Sequence, residues 1–306
     1  MRNEKAAHDF HGRPDAGARG ASPADSLASG DASPQAPLAA GALVALIPAY
    51  NEVATIRDLV LRTIEVIPDV IVVDDGSVDG TAAALAGLPV TVLRNPRNAG
   101  KAASLWRGFA HALERGARAV VTLDGDGQHR PEDTGRLLAA AERFPGRIVI
   151  GARLHDRANF PPRRYYANQF ARFWISWAAG YPIADTQSGF RIYPAALFRK
   201  LTVRDVSWGG FVFESEVLIR AAGVGITSVA VAIPGIYPKQ ARASHFRPVR
   251  DIGKIVIMVA GSLVRRGMFL PGLWRSLNGP MVIESGGARL EPMAKDGAAP
   301  ARSAGD

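Results

Sequence analysis

Three short apolar segments, each ending abruptly in oxygen-bearing residues, constrain this chain more than any other feature. Apolar runs of this length and composition predict strands buried on both faces, as in a parallel sheet. They occupy residues 43–47, 70–73 and 119–123, and the polar segments after them occupy residues 48–52, 74–77 and 124–128. Because ligands of an open parallel sheet bind beyond the carboxyl ends of its strands, we expect the three polar segments to line one crevice.

Helical periodicity separates these strands. Apolar residues recur at helical spacing in three segments, and further strand-like runs lie between and after them. The predicted helices span about 54–66, 101–115 and 132–143, with a short Ala-rich helix from about Thr81, and the further strands span about 90–93 and 147–150. This alternation with short loops predicts an α/β domain, in which helices flank a largely parallel twisted sheet.

Two aspartates at the end of the third apolar segment predict a cation site. Asp124 and Asp126 are two positions apart, and in an extended segment such residues point the same way. Gln128 supplies a third oxygen donor, and ligation by oxygen alone fits Mg²⁺ or Mn²⁺. The alternative is an acidic turn that closes the strand. Asp79 can serve merely as a helix cap, but for Asp75, Asp124 and Asp126 we favour ligand binding.

The composition favours an anionic partner. Lys and Arg total 37 against 28 Asp and Glu, so the formal net charge is +9, which suits a phosphate, a nucleic acid or a membrane surface. No recognisable nucleic-acid-binding motif accompanies this charge, so we expect no nucleic-acid partner. The chain contains no Cys, which excludes disulfides and thiolate metal sites. The sequence shows neither a convincing transmembrane helix nor a secretory signal, and we therefore expect a cytoplasmic protein.

Composition divides the chain into four segments. Residues 1–40 and 276–306 are rich in small residues and are predicted to be disordered tails, whereas residues 41–248 form the α/β domain. Residues 249–275 predict basic amphipathic helices that either lie on a membrane surface or pack on the core. Residues 157–182 mix arginines with aromatic residues and predict an amphipathic surface helix or a partner face.

Six motifs in this order carry a resemblance to a known family. They are PAYNE at 48–52, VVDDGSVDGT at 72–81, NAGKAASLWRG at 98–108, LDGDGQH at 123–129, GAR at 151–153 and DTQSGFRIY at 185–193. Together they resemble family-2 glycosyltransferases of the GT-A nucleotide-sugar-binding fold, and they are most similar to the dolichyl-phosphate mannosyltransferase-like branch. The resemblance covers about residues 42–250.

The resemblance implies a UDP- or GDP-sugar donor, a divalent cation and inversion at the anomeric carbon. The positions it assigns to the donor are Pro48, Tyr50, Glu52, Asp74, Asp75, Asp124 and Gly125. It also places an Arg and a Lys on the donor phosphate, and Lys239, Arg242 and His245 compete for those two roles. It assigns the metal and the donor diphosphate to Asp124, Asp126 and Gln128, with Mg²⁺ or Mn²⁺ as the cofactor. Arg153 is expected to meet donor or acceptor phosphates, and Arg163, Arg164 and Arg191 are expected at the acceptor. The family's G-K-G motif reads Gly100-Lys101-Ala102 here, which suggests slightly altered packing.

The chemistry of the acceptor decides whether a general base is needed. A lipid phosphate is already an anion and needs none, and the arginines at 153, 163 and 164 would position it. A hydroxyl acceptor would need a base, for which Asp185 is the candidate. The alternative for Asp185 is a loop anchor that accepts hydrogen bonds from backbone amides. His129 could support the metal ligands, or it could be a structural or solvated histidine.

We therefore expect an inverting glycosyltransferase that loads a polyprenyl phosphate or a related lipid at the cytoplasmic membrane face. One alternative is the same class of enzyme with a saccharide or glycolipid hydroxyl as acceptor. Another is a nucleotide-sugar-binding scaffold that has lost turnover, against which the intact Asp124, Asp126 and Gln128 argue.

Overall fold

The computed structural model describes residues 42–153, 162–201, 212–234, 248–285 and 288–289. The predicted tail at 1–40 lies outside these residues, as do the predicted donor contacts Lys239, Arg242 and His245. Each later statement about the structure concerns the described residues.

One mixed sheet organises the described chain. Its strands are β1 (Leu43–Ala49), β2 (Val70–Asp74), β3 (Thr91–Arg94), β4 (Ala119–Thr122), β5 (Ile148–Ala152), β6 (Arg191–Pro194), β7 (Ser228–Ala232), β8 (Ile283–Ser285) and β9 (Ala288–Arg289). Their spatial order is β3-β2-β1-β4-β6-β5-β7-β8-β9. Pairing is parallel except where β6 lies between β4 and β5, and between β8 and β9. The prediction of a largely parallel sheet is confirmed, and the antiparallel insertion of β6 is an addition to it.

Nine helices accompany the sheet within the described ranges. They are α1 (Ile56–Val66), α2 (Thr81–Ala84), α3 (Lys101–Glu114), α4 (Thr134–Arg143), α5 (Pro162–Ala179), α6 (Ala195–Lys200), α7 (Phe213–Gly223), α8 (Pro248–Arg265) and α9 (Leu270–Asn278). The three long helices predicted before residue 150 are confirmed to within two residues at each end.

Both faces of the sheet are covered, as alternation along β1 shows. Val44 and Leu46 point into a core built with α3, α5, α7 and α8. Ala45 and Ile47 point into a second core built with α1 and α4. Because successive strand residues face opposite sides, a strand buried on both faces has to be apolar throughout. This explains why the first apolar segment contains no polar residue.

The C-terminal part of the sheet corrects the predicted tail at 276–306 for residues 276–285 and 288–289, and the other residues of that tail lie outside the described residues. Helix α9 continues to Asn278, and β8 pairs in parallel with β7. Val282 packs against the second core, and Arg143 forms an ion pair of 2.9 Å with Glu284. These contacts anchor a segment whose small residues suggested disorder, so the sheet extends beyond the predicted boundary at residue 248.

Helix α8 confirms core packing, one of the two alternatives left open for residues 249–275, and contact with a membrane surface stays a prediction. Ile255, Met258, Val259 and Leu263 are buried in the first core, whereas Val256, Ile257 and Val264 are exposed. Among the described helices, none alone has the length and apolar character to cross a membrane. The segments Gly253–Arg265 and Gly267–Asn278 pass that test together, with a bend of 105° between them.

The contact between α3 and β1 generates the first testable prediction. A Cβ added at Gly108 on α3 would lie 2.8 Å from Leu46 Cδ2 in the core, whereas a Cβ added at Gly135 on α4 meets nothing within 4 Å. We expect Gly108→Ala to lower the free energy of unfolding by about 1–3 kcal/mol through overpacking. Gly135→Ala, the matched control, should raise it by about 0.4–1 kcal/mol. Thermal and urea unfolding measure both, and equal effects would contradict the proposed close packing.

Candidate active site

The ends of three strands meet at one edge of the sheet, because β1 pairs in parallel with β2 and β4. The Thr55 hydroxyl donates a hydrogen bond of 2.7 Å to the Gly125 carbonyl. A Cβ added at Gly125 would lie 3.1 Å from the Pro48 carbonyl oxygen and 3.4 Å from Glu52 Cγ. The segments 48–52 and 124–128 therefore lie against each other, as the sequence predicts.

The loops after β1 and β2 are bound to each other by hydrogen bonds. The Asn51 amide donates to the Ser77 hydroxyl at 2.9 Å, and the Glu52 amide donates to the Thr81 hydroxyl at 2.8 Å. The Val78 amide donates to the Asn51 side-chain carbonyl at 2.9 Å. Asn51 has a φ of 56°, a conformation that asparagine tolerates better than most residues. These bonds hold the predicted donor residues Tyr50 and Glu52 beside the end of β2.

The paired aspartates at the end of β2 are buried and bind the protein itself. Asp74 accepts a hydrogen bond from the Ser77 amide at 2.9 Å and pairs with Arg94 at 3.2 Å. Asp75 accepts hydrogen bonds from the Asn95 side chain and from the amides of residues 99 and 100, at 2.7, 2.9 and 2.8 Å. Asp75 thereby anchors the loop that leads into α3. Donor binding by these two residues stays a prediction.

Asp124 lies in a cluster of charges that the sequence did not predict. The Lys101 ammonium, at the first residue of α3, lies 2.5 Å from Asp124 and 2.6 Å from Glu214 of α7. Burial alone would lower the pKa of Lys101, but the two carboxylates outweigh it and raise the pKa. Burial would raise the pKa of Asp124, but the Lys101 charge and further positive neighbours lower it. Lys101 and Asp124 are therefore held in their charged forms.

Gly189 is the other residue at Asp124 that sequence reasoning missed. A Cβ added at Gly189 would lie 2.5 Å from Asp124 Oδ1, so any side chain there would displace the carboxylate. The Thr122 hydroxyl donates a hydrogen bond of 2.6 Å to the Gly189 carbonyl. The position of Gly189 inside the DTQSGFRIY motif could have marked it as a site residue. Its contact with Asp124 was not predictable, because it depends on the antiparallel pairing of β6 between β4 and β5.

Asp126 and Gln128 have the character expected of cation ligands. Burial and the neighbouring Asp124 charge raise the pKa of Asp126 to about 6. The backbone amide of Gln128 donates a hydrogen bond of 3.0 Å to Asp126 Oδ1. A divalent cation would relieve the repulsion between the two carboxylates, so the residues present fit such an ion. Among the described residues, no group of three or more His, Cys, Asp or Glu is placed to hold a metal. The metal site at Asp124, Asp126 and Gln128 stays a prediction.

His129 is buried directly after these predicted ligands. Within the described structure its two ring nitrogens have no hydrogen-bond partner, and its ring lies 5.5 Å from that of Phe190. Burial lowers the pKa of His129 to about 4, and the Arg153 and Lys101 charges act in the same direction. The imidazole is therefore neutral near pH 7. This matches the structural alternative for His129 more closely than a charged role.

Asp185 is engaged as the loop anchor that the sequence allowed. It accepts hydrogen bonds from the amides of Gln187 and Ser188 at 2.9 and 3.0 Å, and it pairs with the Arg153 guanidinium at 3.5 Å. Burial alone would raise the pKa of Asp185, but the Arg153 charge and the backbone donors outweigh it and lower the pKa. A carboxylate with a lowered pKa is a weak base. The geometry therefore favours the anchor over the general base.

Arg191 corrects one predicted acceptor contact. Its guanidinium is fully buried and donates to the carbonyls of Ser188, Glu214 and Thr186 at 2.7, 2.7 and 3.0 Å. A side chain so engaged fastens the loop before β6 to α7 and does not face an acceptor. Arg163 and Arg164 lie in the first turn of α5, and their side chains are outside the described part of the structure. Their acceptor role stays a prediction.

The pairing of Asp185 with Arg153 generates a prediction about pH. Because the folded-state pKa of Asp185 is lowered, its contribution to stability is present above the unfolded pKa of about 3.9 and is lost as the pH falls through the folded pKa. We expect Asp185→Asn to lower the melting temperature at pH 7, and we expect the difference from the parent to shrink below about pH 4. The control Asp58→Asn removes a carboxylate that is 76% exposed and should change little at any pH. A deficit independent of pH would refute the charge pairing.

Comparison with known proteins identifies the family. Residues 44–207 match the family model described as glycosyl transferase family 2. The polyprenol monophosphomannose synthase of Mycolicibacterium smegmatis is 31% identical over 240 residues, which cover 75% of this chain and 85% of that protein. The undecaprenyl-phosphate mannosyltransferase of Micrococcus luteus is 32% identical over 206 residues, which cover 62% of this chain and 82% of that protein.

Solved structures share the fold. The mannosyl-3-phosphoglycerate synthase of Rubrobacter xylanophilus superposes with a TM-score of 0.58 and 20% identity, covering 74% of each chain. The glucosyl-3-phosphoglycerate synthase of Mycobacterium tuberculosis, solved with Mn²⁺, UDP-glucose and phosphoglyceric acid, has a TM-score of 0.54 and 22% identity, covering 75% of this chain and 80% of its own. The fold is therefore GT-A, as the resemblance implied. With its family match, its relatives and its fold in agreement, this chain belongs to glycosyl transferase family 2 and is a glycosyltransferase.

Proposed function

We propose that this glycosyltransferase moves a sugar from a nucleotide-diphosphate donor to a polyprenyl phosphate at a membrane surface, with the help of a divalent cation. The observation that carries the proposal is the similarity to two polyprenyl-phosphate mannosyltransferases over more than four fifths of their lengths. The engagement of Asp185 supports the same acceptor class.

The crevice at the strand ends is the proposed donor site. Pro48, Tyr50 and Glu52 lie along its β1 edge, and Asp124, Asp126 and Gln128 lie at the end of β4. The last three would hold the cation, which supplies positive charge to the leaving nucleoside diphosphate. Gly125 allows the two loops to approach closely, because a Cβ there would crowd the Pro48 carbonyl.

The state of Asp185 favours a phosphate acceptor over a hydroxyl acceptor. A hydroxyl must lose a proton as it attacks, so a base has to lie within reach of it. The predicted base is bound to two backbone amides and to Arg153, and its pKa is lowered. A polyprenyl phosphate is already anionic and attacks without a base. Arg153, held in place by Asp185, is then available to attract the phosphate.

Helices α5, α8 and α9 support a membrane surface as the place of reaction. Helices α8 and α9 both pack on α5, and the three helices expose large apolar side chains together with basic ones. The exposed apolar residues are Tyr166, Phe170, Phe173, Val256, Ile257, Val264, Met268, Leu270, Trp274 and Leu277. Arg265 and Arg266 are exposed beside them. An apolar surface bordered by cations suits the headgroup region of an anionic membrane.

The turn between α8 and α9 presents part of this surface. Met268 and Phe269 have positive φ values of 62° and 39°, a conformation rarely adopted by bulky residues. The Phe269 ring is held under the Arg266 guanidinium, which lies 3.5 Å from the ring centre, and the Trp177 indole donates to the Met268 carbonyl at 3.1 Å. The contacts with Arg266 and Trp177 therefore stabilise the strained turn, while Met268 and Leu270 stay exposed.

The proposed activity is tested by transfer from radiolabelled GDP-mannose, UDP-glucose and UDP-N-acetylglucosamine to a short polyprenyl phosphate, with Mn²⁺ or Mg²⁺. We expect transfer from one donor, abolished by EDTA, and none to the matched polyprenol, which lacks the phosphate. We expect Asp126→Ala to lower the rate about 100-fold or more because the leaving group loses its cation. The exposed control Asp58→Ala should keep the parent rate.

Two outcomes would contradict the proposal. Transfer to the polyprenol hydroxyl or to a saccharide, but not to the phosphate, would reverse the acceptor assignment. Full activity of folded Asp126→Ala would refute the metal assignment. The circular dichroism spectrum and melting temperature of each variant establish that its fold is retained.

The membrane surface is tested separately by cosedimentation with vesicles. We expect binding to vesicles of phosphatidylglycerol and phosphatidylcholine at low salt, and weaker binding as the salt concentration rises. Leu270→Glu and Trp274→Glu should lower the bound fraction, since they place charge on the apolar surface. The matched control Val78→Glu changes an apolar side chain that is 87% exposed elsewhere and should bind normally. No binding at low salt, or equal loss in all three variants, would refute this surface.

A further inference from the structure

Lys101 makes two short contacts that the proposed reaction leaves unexplained. Its ammonium lies 2.5 Å from Asp124, the proposed cation ligand, and 2.6 Å from Glu214 on α7. Glu214 is buried, whereas Lys101 and Asp124 are partly exposed, with 22% and 26% of their side-chain surfaces accessible. One ammonium thus bridges a carboxylate at the crevice and a carboxylate in the core.

A divalent cation at Asp124 has to contend with this ammonium. Two cations on one carboxylate repel each other strongly where the surroundings are partly desolvated. The ammonium also occupies the space beside the oxygen it contacts. Binding of a metal ion at Asp124 therefore requires the Lys101 ammonium to move away from that oxygen.

Glu214 offers the ammonium a second partner whose own position is fixed. Its backbone carbonyl accepts a hydrogen bond of 2.7 Å from Arg191, which ties the first turn of α7 to the loop before β6. The next residue of α7, Ser215, shares a hydrogen bond of 3.3 Å with the Gln187 side chain. A lysine side chain is long and flexible, so a small rotation can keep its contact with Glu214 while it leaves Asp124.

We propose that Lys101 is a built-in placeholder cation, which neutralises Asp124 before metal binding and withdraws to Glu214 when a divalent cation arrives. This inference rests on the proposed metal-assisted function. Lys101 and Glu214 are positioning residues in it, since they act through Asp124. Before the divalent cation binds, Lys101 compensates the charges of Asp124 and Glu214. The exchange then sets the affinity for the divalent cation.

The test measures Mn²⁺ binding directly, from the electron paramagnetic resonance signal of free Mn²⁺, in the full chain without donor. Lys101→Met removes the competing cation, and we expect Mn²⁺ to bind about tenfold more tightly or better. Glu214→Gln removes the second partner, so the ammonium stays on Asp124 and Mn²⁺ should bind more weakly. Couplings between neighbouring charged groups typically correspond to about two- to 150-fold changes in binding.

The double variant separates exchange from a general effect of charge. If Glu214 acts only through its field, Glu214→Gln weakens Mn²⁺ binding by the same factor whether or not Lys101→Met is present. If Glu214 receives the ammonium, its effect largely disappears in the Lys101→Met background. Equal factors in both backgrounds, or unchanged affinity in Lys101→Met, would overturn the proposal.

Failure of this inference is distinguishable from failure of the metal assignment. If the parent protein binds Mn²⁺ and Asp126→Ala does not, the metal site stands whatever Lys101 does. If the parent protein and Asp126→Ala bind Mn²⁺ equally, the metal assignment falls and the exchange falls with it. If Lys101→Met does not fold, the double variant of Lys101→Met and Glu214→Gln takes its place in the test, because it removes one charge of each sign. Tighter Mn²⁺ binding than in the parent would then support the exchange, and unchanged binding would refute it.

Discussion

The parallel pairing of β1 with β2 and with β4 is the constraint on which the active site depends. In this register Ala49 lies opposite Asp74, and Leu46 lies opposite Thr122, so all three strands end at one edge. A slip of one residue in β1 would exchange Leu46 and Ile47 between two cores that α3 and α1 fill differently. Burial on both faces therefore fixes the register, and the register brings the polar loops together.

Most acids of the crevice serve its construction. Asp74 and Asp185 accept hydrogen bonds from amides of their own loops, and Asp75 accepts one from the loop before α3, so the three carboxylates help build a shell of ordered loops. Buried carboxylates are costly unless they are paired, and here the amides and arginines satisfy them. Asp126 differs, because burial and the charge of Asp124 raise its pKa to about 6. The shell thus leaves the repulsive pair of aspartates where the proposed cation would stabilise it.

The fold was predictable from the sequence because its signals are local. Apolar runs mark β1, β2 and β4, helical spacing marks α1 and α3, and the six motifs carry the family.

The features that the sequence did not predict depend on distant chain segments. Glu214 is about ninety positions from Asp124, and only the insertion of β6 between β4 and β5 brings Gly189 beside that carboxylate. Arg191 of β6 was predicted to contact the acceptor, because an arginine in this motif suits a phosphate. Its guanidinium instead is buried and donates hydrogen bonds to three backbone carbonyls. Strand β8 was missed because its stability comes from β7 and Arg143.

The same dependence on distant contacts bears on the choice of acceptor. Asp185 and Arg153 are more than thirty positions apart, and the sequence around each one alone suggests a catalytic group. Joined, they have complementary effects: the arginine makes the carboxylate a poorer base, and the carboxylate holds the arginine at the end of β5. A crevice arranged in this way is poorly suited to removing a proton from a hydroxyl. It is well suited to holding an anion, since an anion can share the arginine without requiring the carboxylate to change its charge. An acceptor that brings its own negative charge is therefore the one for which the pair of Arg153 and Asp185 can stay intact throughout the reaction.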